Sequence, residues 1–179
     1  MNQAFISIGS NIEPARNYME ALRRLAMLGT LTRASAVYQT EPVGGQGGDY
    51  MNGAVLLATP LEARPLKRKL QQIEHEMGRE RTGDRNAPRT IDLDLVLYNQ
   101  DHIDEPGLRV PDPLIFTRVF LAQTLSELSA DYVHPRTGES LGEIAARLGE
   151  AGAALRPDAG MTARVRHWID EHIGDVAHA

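Results

Sequence analysis

Arg89-Thr90-Ile91-Asp92-Leu93-Asp94-Leu95-Val96-Leu97-Tyr98 alternates apolar and acidic side chains with a period of two. Successive side chains of a strand point to opposite faces. Ile91, Leu93, Leu95 and Leu97 therefore share one face, turned toward a core, and Asp92 and Asp94 share the other. The two carboxylates lie one pleat repeat apart, roughly 6–7 Å along the backbone. Like charges on one face repel, and a divalent cation relieves the repulsion. Magnesium suits this arrangement, because it takes one or two carboxylates and fills its other positions with water and phosphate oxygens. The stretch predicts a strand with a metal–phosphate site on one face, Asp92 and Asp94 being the metal ligands.

The residues leading into this strand strengthen that reading. Residues 79–89 hold four arginines (Arg79, Arg81, Arg85 and Arg89) in an otherwise acidic chain. Guanidinium groups suit planar, bidentate phosphate contacts. Before them, residues 61–78 form the clearest helix, with Leu66, Leu70, Ile73 and Met77 on one stripe and Pro65 in the first turn. Gln71 and Glu74 are neighbours on that helix, and a solvated face is the plain expectation for them. Tyr50–Thr59 reads as a strand. The preceding loop has four glycines in five positions, 44–48, and lacks the lysine and following helix of a P-loop. Residues 31–38 read as another strand, and residues 14–28 as a helix begun by Pro14. Residues 3–9 read as a first strand, with Gly9-Ser10-Asn11 as a turn into that helix.

Beyond the acidic strand, 99–101 is a turn, 102–104 a short return, and 108–113 is extended because each proline disfavours helix before it. Helices follow at 117–129 and 139–148. Residues 149–160 read as a linker, and 161–173 carry a helical stripe of Met161, Val165, Trp168, Ile169 and Ile173 that needs cover from its own domain or a partner chain. The order is β-α-β-β-α-β plus C-terminal helices. This predicts an α+β fold with a ferredoxin-like βαββαβ core in a three-layer α/β/α arrangement. Residues 1–150 form the functional domain and 151–179 a linker and helical extension of it.

Composition sets bounds. The chain has 179 residues, net charge -5 and no cysteine. Disulfides and thiolate metal sites are excluded, and general nucleic-acid binding, which needs a basic face, is disfavoured. No apolar run approaches the ~20 residues of a membrane span, and the N-terminus lacks the pattern of a signal peptide. A cytoplasmic protein is expected, either a monomer or a dimer through its C-terminal extension.

Four blocks carry a resemblance to a known family. They are Ile6-Ser7-Ile8-Gly9-Ser10-Asn11; Tyr38-Gln39-Thr40-Glu41-Pro42 with Asp49-Tyr50-Met51-Asn52; Gln71-Gln72-Ile73-Glu74 through Gly78-Arg79; and Pro88-Arg89-Thr90-Ile91-Asp92-Leu93-Asp94. Over roughly residues 3–148 the chain resembles the 6-hydroxymethyl-7,8-dihydropterin pyrophosphokinases of folate biosynthesis. The resemblance implies pyrophosphoryl transfer from ATP, the co-substrate, to the pterin hydroxymethyl group, with release of AMP and use of two magnesium ions. It implies Asp92 and Asp94 as metal ligands and Arg79 and Arg89 as catalytic-loop arginines. It places Thr40, Val43, Tyr50, Asn52 and Phe120 at the pterin, the last by ring stacking. Gln71, Glu74, Arg81, Asp112 and Arg118 fall on the nucleotide side. Residues 44–49 and 79–88 correspond to loops that close over the substrates.

The chain also departs from the family. Pro111-Asp112-Pro113-Leu114 stands where the family has Pro-His-Pro and a basic residue, and Asn86 stands near a missing loop tryptophan. An ionised aspartate repels phosphate, by on the order of 4 kcal/mol at ~4 Å and an effective dielectric near 20. Asp112 therefore points elsewhere, pairs with Arg109 or an ion, or slows turnover. A paralogue with altered catalysis is the second reading. An interaction module using the tail stripe is the third, and it leaves the Arg/Asp block unexplained.

Overall fold

The computed structural model describes residues 1–42, 47–79, 87–152 and 154–173. Its elements follow the order β1 (Asn2–Ser10), α1 (Pro14–Ala26), β2 (Thr30–Ala34), β3 (Tyr38–Thr40), β4 (Tyr50–Thr59), α2 (Ala63–Glu76), β5 (Asp92–Tyr98), β6 (Ile103–Glu105), β7 (Leu108–Val110), a 3₁₀ turn at Pro113–Phe116, α3 (Val119–Leu128), α4 (Leu141–Ala151), β8 (Arg156–Pro157) and α5 (Ala159–Ile173). The main sheet is antiparallel. Its strands run in the order β5-β1-β4-β3-β8, with β2 also paired to β4, and β6–β7 form a separate hairpin.

Apolar residues cover both faces of this sheet. On one face Leu22 and Leu25 of α1, Leu66, Leu70 and Ile73 of α2, and Met161, Val165 and Ile169 of α5 pack with Ile6, Ile8, Leu93 and Leu95. On the other, Leu121, Leu125 and Leu128 of α3 and Leu141 and Ile144 of α4 pack with Phe5, Ala54, Leu56 and Val96. Each fully buried leucine or isoleucine contributes about 1.5–3 kcal/mol. The result is a mixed α/β fold with an antiparallel sheet between two hydrophobic layers.

Four sequence expectations change. First, Leu97 does not share a face with Ile91, Leu93 and Leu95. The pairing of β1 with β5 shifts between Phe5↔Leu97 and Ile6↔Leu95, which inserts Val96 as an extra residue. Such a bulge breaks the period of two, so Val96 and Leu97 both join the α3/α4 layer and Tyr98 returns to the α1/α2 layer. Second, Gly9 and Ser10 are not a turn. They continue β1, opposite Asn52 and Met51, and α1 begins only after Glu13, which has a left-handed backbone. Third, the strand read at 31–38 is two strands. Ser35 interrupts it, its N–H donating to the Ala54 carbonyl and its hydroxyl accepting from the Ala54 N–H. Fourth, 149–160 is no simple linker. Helix α4 runs to Ala151, and Arg156–Pro157 pairs with β3.

Most of the tail stripe finds cover within the chain, with Trp168 partly buried against the core and Ile173 exposed. Met161, Val165 and Ile169 are buried in the α1/α2 layer. No helix among the described residues is long and apolar enough to cross a membrane.

Ile169→Ala should cost about 2–5 kcal/mol and move the midpoint of the main urea transition. A tail folding apart from the core would leave that transition in place.

Candidate active site

The site is laid out by strand register. Asp92 of β5 stands opposite Gly9 of β1, and Gly9 stands opposite Asn52 of β4. Ser7 stands opposite Asp94. Cross-strand partners share a face, so the aspartate pair and Asn52 open on the same side of the sheet with only a glycine between them. A Cβ on Gly9 would lie 2.7 Å from Asn52 Oδ1. Glycine here leaves the floor between the two groups empty.

That floor is the base of a cavity of about 680 Å³. Nine residues singled out from the sequence line it: Thr40, Tyr50, Asn52, Arg89, Asp92, Asp94, Asp112, Arg118 and Phe120. At one end the Asn52 Nδ2 donates to Thr40 Oγ1 at 2.6 Å, and Asn52 is buried. Burial also pushes the Tyr50 phenol pKa up. At the other end lie the carboxylates. Residues 43–46 and 80–86 are outside the described residues, and with them Val43, Arg81, Asn86 and most of the two loops expected to close.

Two guanidiniums hold Asp92. Its Oδ1 accepts from Arg79 Nη1 at 2.7 Å and its Oδ2 from Arg89 Nη1. Arg79 also donates to Glu74. Glu74 is not on a solvated face. It is buried, and its Oε1 accepts from the Leu93 N–H at 2.8 Å. It ties α2 to β5 and holds Arg79 beside Asp92. Burial raises the Glu74 carboxyl pKa, against the pull of the Leu93 N–H and Arg79. Burial also works against the Arg79 charge, but Asp92 and Glu74 outweigh it and the Arg79 pKa is raised. Gln71, on the same helix, is half-buried and is not among the residues lining the cavity.

Asp94 accepts from Lys67 Nζ at 3.2 Å and keeps 48% of its side chain open. Enclosure by the surrounding protein pushes its pKa up, as does Asp92; Lys67 pulls it back and Asp112 raises it further. Asp112 does not pair with Arg109, which pairs with Asp104 at 3.4 Å. Instead its Oδ1 accepts from the Leu114 N–H at 2.9 Å and caps the 3₁₀ turn. The group still faces the carboxylates. Asp94 and Asp112 line both the main cavity and an adjoining one of about 180 Å³ that also meets Lys67 and Arg109.

Several contributors stood in the four blocks of resemblance but received no site role from the sequence. Ser10 Oγ donates to the Thr90 carbonyl at 2.6 Å. Asn11 clamps Arg89 both ways, its N–H donating to the Arg89 carbonyl at 3.2 Å and its Oδ1 accepting from the Arg89 N–H at 2.7 Å. Ser7, Gly9 and Glu41 line the cavity. For Gly9 a signal existed, because glycine inside a strand marks close approach of a ligand or backbone.

Among the described residues no group of three or more His, Asp or Glu is arranged to hold a metal. Asp92 and Asp94 do offer the two carboxylates that magnesium takes when phosphate and water complete its shell, so the donor set fits.

An α/β sheet with a paired-carboxylate floor and guanidiniums against it defines a protein of the phosphate-handling kind. The comparisons narrow this. The chain belongs to the 7,8-dihydro-6-hydroxymethylpterin-pyrophosphokinase (HPPK) family, whose model matches residues 5–130. It is 38% identical over 131 residues to the 2-amino-4-hydroxy-6-hydroxymethyldihydropteridine pyrophosphokinase of Bacillus subtilis, covering 71% of this chain and 78% of that one. The enzyme of the same name from Haemophilus influenzae is 34% identical over 141 residues, covering 76% and 88%. Among solved structures, an HPPK-DHPS in complex with substrates has a similar fold, with a TM-score of 0.66 at 14% identity. That match covers 84% of this chain and 44% of the larger one.

The raised Asp94 pKa fixes a sign. A carboxyl whose folded pKa exceeds its unfolded value, about 4, binds more protons when folded, so its contribution to stability falls as pH rises from there through the folded value. Without added metal, Asp94→Asn should therefore gain stability relative to the wild type across that rise, in urea melts at stepped pH.

Proposed function

We propose that this chain transfers the pyrophosphoryl group of ATP to the hydroxymethyl oxygen of 6-hydroxymethyl-7,8-dihydropterin and releases AMP, in folate biosynthesis. The observation that carries the reading is one cavity with two chemically different ends, an amide–hydroxyl pair at Asn52 and Thr40 and a carboxylate–guanidinium group at Asp92, Asp94 and Arg89.

In this reading the pterin lies over Gly9. Asn52 and Thr40 hydrogen-bond its ring, Phe120 stacks on it, and Tyr50 closes the wall. Val43 belongs to the same group. The hydroxymethyl oxygen attacks the β-phosphorus and releases its proton to solvent, the bond from the β-phosphorus to the α–β bridging oxygen breaks, and AMP departs with that oxygen. Asp92 and Asp94 would hold two magnesium ions, which would supply neutralisation of phosphate charge and alignment for the displacement. Arg89, Arg79 and Arg118 supply donors to phosphate oxygens, with Arg81 and Gln71 on the nucleotide side. Glu74 acts through Arg79, whose position it fixes. Catalysis here is alignment and charge neutralisation rather than covalent chemistry.

The same reading takes the core as ferredoxin-like. With β2 and β3 counted as one interrupted strand, the order β5-β1-β4-β2/β3 supports it. Residues 1–150 form the pyrophosphokinase domain, and 151–179 extend that domain. The protein acts in the cytoplasm on these two small molecules, and its charge of -5 favours no nucleic-acid partner.

Asp112 favours the second reading, a relative with slowed transfer, because it sets a further carboxylate near Asp94. One assay separates the two, AMP release from ATP and magnesium with and without the pterin. Pterin-dependent AMP supports transfer; pterin binding without AMP supports the second reading. Asp92→Ala and Asp94→Ala should each abolish turnover in this assay, and activity in both would remove the metal assignment. Asp112→His should turn over at the wild-type rate or faster; a large loss would give the aspartate a role of its own.

A further inference from the structure

We infer that the C-terminal segment Arg156–Ile173, which lies beyond the family model's residues 5–130, positions the strand that carries Thr40 and so sets pterin affinity. The inference rests on the reading that Thr40 and Asn52 hold the pterin.

Strand β3 is three residues long. One of its edges lies on β4, and Thr40, at its end, accepts from Asn52. So short a strand has little to fix it by itself. Its other edge is taken by β8, with Tyr38 opposite Pro157 and Gln39 opposite Arg156. The residue before the strand, Val37, is fully buried, and both of its backbone groups are bonded by the same segment. Its N–H donates to Thr162 Oγ1 at 2.9 Å, and its carbonyl accepts from the Asp158 N–H at 2.8 Å.

Asp158 is the junction. Its Oδ1 accepts from the Met161 N–H at 2.9 Å, at the start of α5, and its Oδ2 accepts from Gln39 Nε2 at 3.0 Å. One carboxylate thus joins helix and strand, and Met161, Val165 and Ile169 anchor the helix in the core. The segment also reaches the start of β4, where Arg156 Nη2 donates to Asp49 Oδ2 at 2.7 Å. That exposed pair adds little energy; the weight lies with the buried bonds at Val37. A binding group must be held within about 0.5 Å of its productive place, and Thr40 is three residues from Val37.

The test uses the full chain and four variants: Thr162→Val, Asp158→Ala, Gln39→Ala and the Asp158→Ala/Gln39→Ala double. Asn52→Ala is the control. Equilibrium binding is measured separately for 6-hydroxymethyl-7,8-dihydropterin and for a non-hydrolysable ATP analogue with magnesium. Each single variant of the segment should weaken pterin binding roughly three- to tenfold and leave the ATP analogue within about twofold. The double variant should lose less than the product of its singles, because the two residues share one bond. Gln39→Ala keeps the test alive if Thr162→Val fails to fold, since it removes no buried partner of the backbone. Pterin binding within about twofold of the wild type in these variants, with Asn52→Ala weakened, overturns the positioning role alone. Equal losses for both ligands overturn it too, as a general loosening. Unchanged pterin binding in Asn52→Ala overturns the pterin reading itself, and the inference with it.

Discussion

The pairing of β1 along both of its edges is the constraint on which the rest depends. Every group at the cavity floor is placed by it. Asp92 and Asp94 are brought opposite Gly9 and Ser7 on one side, and Asn52 opposite Gly9 on the other. A slip of one residue would turn Ile8 toward the carboxylates and bury the wrong face. The end of the strand guards against this. Ser10 and Asn11 bond the backbone of Thr90 and Arg89, so register is fixed at the point where the arginine-rich segment joins β5.

Charge is balanced on the same plan. Around the carboxylates, Arg79 serves Asp92 and Glu74, Arg89 serves Asp92, and Lys67 serves Asp94. Among the described residues these three cations face these three carboxylates. Glu74 is tolerated in the interior because both a backbone N–H and a guanidinium satisfy it. Asp112 lies outside this balance. Its bond to the Leu114 N–H is one that a neutral capping residue makes equally well, so its charge acts on the site rather than on the turn.

Much of this was legible in the sequence. Residues 50–59, the helices begun by Pro14 and carrying Pro65, and the Asp92/Asp94 face follow from long regular periods, where propensity, pattern and punctuation agree. Asp112 as a cap was also readable, since aspartate before proline at a helix start is a known signal. Other features were not. Nothing in Leu95-Val96-Leu97 marks a bulge, because three apolar residues satisfy either register. Glu74 looks solvated on its own helix, and its burial depends on Leu93 and Arg79 arriving from elsewhere. The pairing of Arg156–Pro157 with β3 joins residues more than a hundred positions apart, and a Gly/Ala/Pro-rich composition reads locally as a linker. Gly9 carried a usable signal, but its neighbours Ser10 and Asn11 drew the reading toward a turn.

The extra residue at Val96 has a consequence for how the molecule comes apart. A regular β5 would give all its odd-numbered side chains to one layer. The bulged one gives Leu93, Leu95 and Tyr98 to the α1/α2 layer and Val96 and Leu97 to the α3/α4 layer. A single strand is thus stitched through both interiors. Strands β1 and β4 join the layers by plain alternation, Phe5, Ala54 and Leu56 on one side and Ile6, Val55 and Leu57 on the other. The bulge adds two consecutive residues of β5 to one layer, so loosening either layer drags backbone that the other grips.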